Sequence, residues 1–242
     1  MGPHDADRPP LFFISYAHDS GRDDEHIQRF YSDLDHDVLM FAGLRGESAG
    51  FCDVSFRLGE QWSPALINNL STTQVFIPIL SPVYFASAGC GKEWTIFTSR
   101  LAHSGLRDSS VSPIIPLLWV PIEVPPVARP YQYRETAFGT AYERVKLRSL
   151  IREKRHSDDY ESFVQRLAER IVRLNAGTSV AEATQRPGFD SVPSAFDSGS
   201  PSPRRVRPRA DADKPARGDA APVPRSLDTR PILNTFRPSE ES

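Results

Sequence analysis

The run Val75-Phe76-Ile77-Pro78-Ile79-Leu80, closed by Ser81-Pro82, restricts what this chain can fold into more than any other stretch. It is short, almost wholly apolar and rich in β-branched residues. Such a run reads as a strand buried on both faces, of the kind found inside a parallel sheet. After Ser81-Pro82 the residues Tyr84, Phe85, Trp94, Ile96, Phe97 and Leu101 recur at helical intervals. A strand, a tight connection and a helical segment running out near Gly105 are therefore expected. In open α/β sheets the ligand crevice lies beyond the C-terminal ends of the strands. The chain just after Leu80 is thus where a site is expected, and Glu93 follows there, close behind Cys90.

Two similar units precede this one. Leu11–Tyr16 (LFFISY) is nearly continuous in apolar residues and reads as a central strand. A polar loop with Gly21 follows, and Asp23 or Asp24 can cap the next helix. Its apolar face comprises Ile27, Phe30, Tyr31, Leu34 and Val38, with Phe41 extending it and Gly43 ending it. Gly50–Val54 is a weaker strand, followed by a loop that presents Arg57, and Trp62–Leu70 returns to helical spacing. Beyond the opening unit, Pro113–Val120 is a fourth strand candidate. Pro116 lacks a donor, so a break, a bulge or a poorly paired side is expected there. Pro121–Pro130 reads as an irregular loop, Tyr131–Tyr133 as a very short fifth strand, and Phe138–Arg152 as an irregular helix. Asp158 or Asp159 can cap a last helix with Tyr160, Phe163, Val164, Leu167, Ile171 and Leu174 on one side.

Composition separates this region from the ends. Residues 1–10 form a polar, Pro-containing leader, and residues 11–175 form the globular domain. Residues 176–242 are dominated by Pro, Ser, Ala, Asp and Arg and cannot build a core of their own. A disordered, solvated tail is expected, with a segment that orders on a partner as the alternative. Arg204, Arg205, Arg207 and Arg209 make a small basic cluster that Asp211, Asp213 and Asp219 offset. The formal net charge of −2 gives no global field for nucleic acid. Two cysteines, Cys52 and Cys90, make neither a disulfide scaffold nor a zinc cluster, which reads as a reducing compartment. The start of the chain shows no secretory signal, and no apolar run reaches membrane-spanning length. A cytoplasmic protein without membrane, nucleic-acid or metal partners is expected.

Glu93 is the first candidate for chemistry. A glutamate on a helix is usually a solvated surface group. This one follows a buried strand and sits among Tyr84, Phe85 and Trp94, where a carboxylate can hold the charge of an oxocarbenium-like centre or orient a water. Cys90 is either a nucleophile or, as the better default, a small buried apolar thiol. Asp53 and Arg57 read equally as ligand contacts or as local, solvated polar groups. Histidine spacing gives no metal site, and neither a Walker phosphate loop nor a GxGxxG follows the first strand.

Three stretches together resemble a known family. Phe12-Phe13-Ile14-Ser15-Tyr16 resembles the opening box of Toll/interleukin-1 receptor (TIR) domains. Gly50-Phe51-Cys52-Asp53 through Gly59-Glu60-Gln61-Trp62 resembles their second strand and the loop into their second helix. Ser81–Ser87 with Cys90-Gly91-Lys92-Glu93 is similar to their third-helix motif. The details CGKEW and IIPLLWVPI are most similar to the bacterial TIR-like FxsC proteins of actinobacterial FxSxx-COOH peptide systems. The resemblance implies a flavodoxin-like fold, a five-stranded parallel sheet with helices on both faces, and self-association through TIR surfaces. It implies a signalling or protein-interaction module of a peptide-maturation system. The alternative it implies is an NAD glycohydrolase, with NAD as substrate and no cofactor required. On that model Glu93 is the catalytic carboxylate, Phe13, Ser15 and Tyr16 border the pocket, Arg57 lies near the nucleotide or a neighbouring protomer, and Tyr84 and Cys90 shape the wall. Gly89 stands where many bacterial members carry a tryptophan.

Overall fold

The computed structural model describes residues 8–18, 23–46, 48–52, 64–106, 112–131, 135–183 and 188–197. Its centre is a parallel sheet in the order β2-β1-β3-β4, with β1 at Phe12–Ser15, β2 at Gly50–Cys52, β3 at Val75–Leu80 and β4 at Leu117–Leu118. β1 and β3 are buried along their whole length, as continuous apolar runs in a parallel sheet must be. Their register sets Phe12 against Val75 and Ser15 against Pro78.

The pleat sends alternate side chains to opposite layers. Phe12, Ile14, Val75, Ile77 and Ile79 face a core closed by α1 (Asp24–Ala42), α5 (Thr140–Arg152) and α6 (Ser157–Gly177). Phe13, Phe76 and Leu80 face a second core closed by α2 (Pro64–Thr72) and α4 (Ala88–His103). The expected apolar faces of α1 and α6 are the buried ones: Ile27, Phe30, Leu34 and Val38 on the first, Tyr160 through Leu174 on the second. Phe30 and Phe163 meet at 6.2 Å between ring centroids, and Tyr160 donates to Asp33 on α1. Gly43 ends α1 in the left-handed region at φ 64°, its N–H donating to the carbonyls of the last turn.

Four strands are present among the described residues, not the expected five. Tyr131, the start of the expected fifth strand, lies in a bend, and Gln132 and Tyr133 lie outside the described residues. The N–H groups of Ala128 and Arg129 close on Pro125 O, and that of Tyr131 on Ala128 O. Turn closure thus uses the Tyr131 donor with which the strand would start. β4 is correspondingly short, and its interruption has a cause on the opposite strand. Successive N–H groups of β3 point to alternate neighbours: Val75 N donates to Leu11 O, beside β1, and Phe76 N to Pro113 O, beside β4. By that parity residue 78 faces β4, and Pro78 has no N–H to give. Pairing therefore breaks between the Phe76–Ile114 bridge and the Ile79–Leu117 pair, while the register is unchanged. The break expected at Pro116 is present, and Pro78 is its partner.

The helical segment after β3 is two helices. Ser81 caps α3 (Pro82–Ala86) by accepting from Tyr84 N, and Ser87, in extended conformation, caps α4 by accepting from Cys90 N. α5 carries a kink at Lys146, whose φ of 63° breaks the helical run.

The sequence places the end of the packed chain at 175; residues beyond it also pack. Val180, Phe189 and Val192 are buried in the α2/α4 core. Such isolated apolar residues cannot make a core alone, but here they join one that other elements have built. Arg100 fastens the first part: its guanidinium donates to Leu70 O and Thr73 O at 2.8 Å and to Ala181 O at 3.0 Å. Burial pulls its pKa down to about 10, which leaves it charged at neutral pH. Residues 198–242 lie outside the described residues.

Arg100→Met keeps the side-chain stem but leaves buried carbonyls unsatisfied. We expect a loss of about 2–4 kcal/mol in chemical denaturation, accompanied by faster hydrogen exchange at Val180 and Ala181. Unchanged stability would show that water replaces the guanidinium without cost.

Candidate functional site

The C-terminal end of β1 carries two polar residues that the pleat sends opposite ways. Ser15 shares the parity of Phe13 and turns toward α4. Its hydroxyl donates to Glu93 Oε2 and lies 3.1 Å from the Tyr84 hydroxyl. Three elements thus converge: the end of β1 supplies Ser15, the short helix after β3 supplies Tyr84, and the second turn of α4 supplies Glu93. Glu93 is 6% exposed and Tyr84 fully buried. Cys90, one turn before Glu93, is buried beside them.

This grouping is electrostatically coupled. Burial pushes the Tyr84 phenol well above its usual range, and the neighbouring Cys90 and Glu93 add to the shift. Burial also pushes the Cys90 thiol up, and Glu93 adds to it. A thiol so placed stays protonated near neutral pH and is a poor nucleophile. The arrangement can present one carboxyl group, oriented by a hydroxyl pair, against apolar and aromatic walls. That is a setting in which a carboxylate balances positive charge developing on a bound molecule.

Of the remaining sequence candidates, Phe13 lies beneath the group, its ring stacked between Phe51 at 5.4 Å and Phe76 at 6.0 Å. It shapes the floor from within the core. Tyr16 goes to the other side of the sheet, where its hydroxyl meets His18 Nδ1 at 3.1 Å. Arg57 and Asp53 lie outside the described residues, as does the Gly59–Trp62 stretch.

On the Tyr16 side a cleft of about 240 Å³ opens beyond β1, β3 and β4, lined by Tyr16, Ser81, Trp119, Asp23 and Arg148 among others. Asp23 Oδ2 accepts from Arg148 Nε at 2.8 Å and from Trp119 Nε1 at 3.0 Å. The sequence suggested Asp23 as a helix cap; its side chain makes no cap bond and ties α1 to α5 and the end of β4 instead. Sequence reasoning also passed over Asp35. It is buried on α1 and accepts from Ala49 N, Gly50 N and Ser48 Oγ, which fixes the entry to β2. A charge inside the Tyr31–Leu34–Val38 stripe was the signal for it, as Arg100 between Phe97 and Leu101 was for the clamp on α4. Among the described residues no cluster of His, Cys, Asp or Glu could hold a metal, and no helix is long and apolar enough to cross a membrane.

Burial alone would raise the pKa of Asp23, but hydrogen bonds from Arg148 and Trp119, with the charges of Arg148 and Arg152, hold it below the usual carboxylate value. The folded pKa is depressed, so the stabilisation is present above the unfolded pKa and is lost as pH falls through the folded one. Urea melts should show wild type losing more stability than Asp23→Asn between about pH 6 and about pH 3. Parallel pH profiles for the two proteins would contradict the assignment.

Comparison with known proteins agrees with this layout. A family model described as TIR domain matches residues 12–151, more than half of the chain, from the first residue of β1 to near the end of α5. No curated protein matches the chain. With a matching family model over the doubly wound parallel core, the chain belongs to the TIR domain family.

Proposed function

We propose that this TIR domain is a signalling module that cleaves the bond between nicotinamide and ribose in NAD, with Glu93 as the reactive carboxylate. One juxtaposition carries the reading. Glu93, Ser15 and Tyr84 meet at the C-terminal ends of β1 and β3, where the strand order changes direction and open α/β sheets bind ligands. In the proposed step the bond from ribose C1′ to the nicotinamide nitrogen breaks and its electron pair leaves with nicotinamide. The Glu93 carboxylate balances the positive charge that develops on the ribose. Water then adds at C1′ and gives up a proton, and ADP-ribose results. Phe13, Ser15, Tyr84 and Cys90 form the floor and walls; Arg57, outside the described residues, is assigned to the nucleotide on the family resemblance alone. Tyr16, directed to the opposite face, borders the crevice rather than the carboxylate.

A second reading has its own support. The likeness of CGKEW and IIPLLWVPI to FxsC proteins favours a protein-interaction role in a peptide-maturation system. Gly89, where many bacterial members carry tryptophan, and the 6% exposure of Glu93 favour it as well.

Nicotinamide release from NAD, measured by product separation at low and high protein concentration, separates the two. We expect turnover by wild type and a loss of about 100-fold or more in Glu93→Gln and Glu93→Ala. Wild-type rates indistinguishable from those variants, in assembled protein, would leave the interaction role alone standing.

A further inference from the structure

We propose that residues 188–197 are an intramolecular latch, which closes over the start of α4 and keeps the Glu93 group out of reach until the latch is displaced. The activity part of this proposal rests on the NAD reading of Glu93; the closure does not.

The latch sits on one helix face. Ala195 N donates to Gly91 O at 3.1 Å, and Thr95 Oγ1 lies 2.8 Å from Pro193 O. Phe196 then lays its ring over the aromatic wall of the site, 5.6 Å from Tyr84, 5.1 Å from Phe85 and 6.0 Å from Trp94 between centroids. Tyr84 is the residue shared by the two structures. Its ring meets Phe196, and its hydroxyl meets Ser15, which holds Glu93. Lys92 Nζ lies 5.0 Å from the Phe189 ring and adds a weak cation–π contact at the other end of the segment.

Fit is set by Gly91. A Cβ built there would stand 2.0 Å from Ser194 Oγ, 3.0 Å from Ser194 Cβ and 3.1 Å from Phe196 Cδ2. Rotating the serine hydroxyl would relieve the first contact but not the other two. With Ser194 in place, an alanine here would push the segment outward.

The same segment is built to leave. Most of its polar contacts are its own: Ser191 N to Gly188 O, Val192 N to Phe189 O, Asp197 N to Ser194 O and Phe196 N to Ser194 Oγ. Gly91 O keeps Thr95 Oγ1 at 3.0 Å when Ala195 departs. Departure therefore strands no buried polar group on α4, and the opening costs chiefly the apolar contact of Phe196, Val192 and Phe189.

The test uses the full chain with Cys52→Ser, so that Cys90 is the sole thiol. Gly91→Ala removes the seat of the latch while favouring the helix that carries Glu93. Gly91→Ala/Ser194→Gly removes both Ser194 contacts and leaves only the Phe196 edge to yield by a few tenths of an ångström. We expect Gly91→Ala to raise hydrogen exchange across 188–197 and thiol-reagent labelling of Cys90 by about tenfold or more, and to raise NAD cleavage above the parent. Both exchange and labelling should return toward the parent in the double variant. Increased labelling with no NAD cleavage in any variant would keep the latch and remove the NAD reading. Unchanged exchange and labelling would overturn the latch. So would NAD cleavage below the parent, or a lowered melting temperature with labelling that follows global unfolding, since the segment would then be a fixed part of the core.

Discussion

The pairing of β1 with β3 is the constraint on which the molecule depends. Both strands are buried on both faces, so neither can slip by one residue without exchanging the contents of the two cores. Their register puts Ser15 opposite Pro78. From that single alignment Ser15 is aimed at α4 and Tyr16 at α1, and the end of the sheet acquires two polar regions back to back. Ser15 builds the Glu93 group; Tyr16 lines the cleft held by Asp23, Trp119 and Arg148. Pro78 contributes from the other direction. Facing β4 without an N–H, it limits β4 to two paired residues. The far edge of β4 is covered separately by α5, where the Tyr142 hydroxyl accepts from Leu118 N.

A carboxyl group as deep as that of Glu93 needs polar partners, because desolvation is costly unless hydrogen bonds offset it. Ser15 supplies one directly, and Tyr84 stands behind the serine. The partners bear the consequence in turn: the phenol of Tyr84 and the thiol of Cys90 are both pushed up, by burial first and by Glu93 in addition. Tyr84 and Cys90 therefore hold their protons beside the carboxyl group. Such an arrangement fits electrostatic stabilisation by a fixed carboxyl better than covalent attack by sulfur.

Most of the framework was legible in the sequence, and the rest was hidden for identifiable reasons. β1 and β3 announce themselves as apolar runs, and α1 and α6 as stripes at helical spacing, because burial acts on them residue by residue. Glu93 stood out by its place after β3. What periodicity cannot show is a relation between distant positions. Among the described residues no fifth strand pairs, and Tyr131, where it was expected to start, spends its N–H on Ala128 O in a turn. The expected boundary at 175 fails because Val180, Phe189 and Val192 are too sparse to register as a core, yet complete one that α2 and α4 supply. Arg100 and Asp35 look like faults in apolar stripes until the carbonyls and amides they satisfy are in view.

Gly91 brings these threads to one position. Within a helix a glycine costs up to about 1 kcal/mol relative to alanine, and α4 carries this one in the turn before Glu93. Seen along the helix alone it is a weakness with nothing in return. With residues 188–197 in place, the missing side chain is what admits Ser194 and lets Phe196 reach Tyr84. The helix is thus weakest in isolation at the point where the following segment closes on it. Stability that an alanine would place within α4 is placed between α4 and the latch, where it can be withdrawn without unpairing a buried group. On the proposed NAD reading, a carboxyl as deep as that of Glu93 is reached only through a contact of that reversible kind.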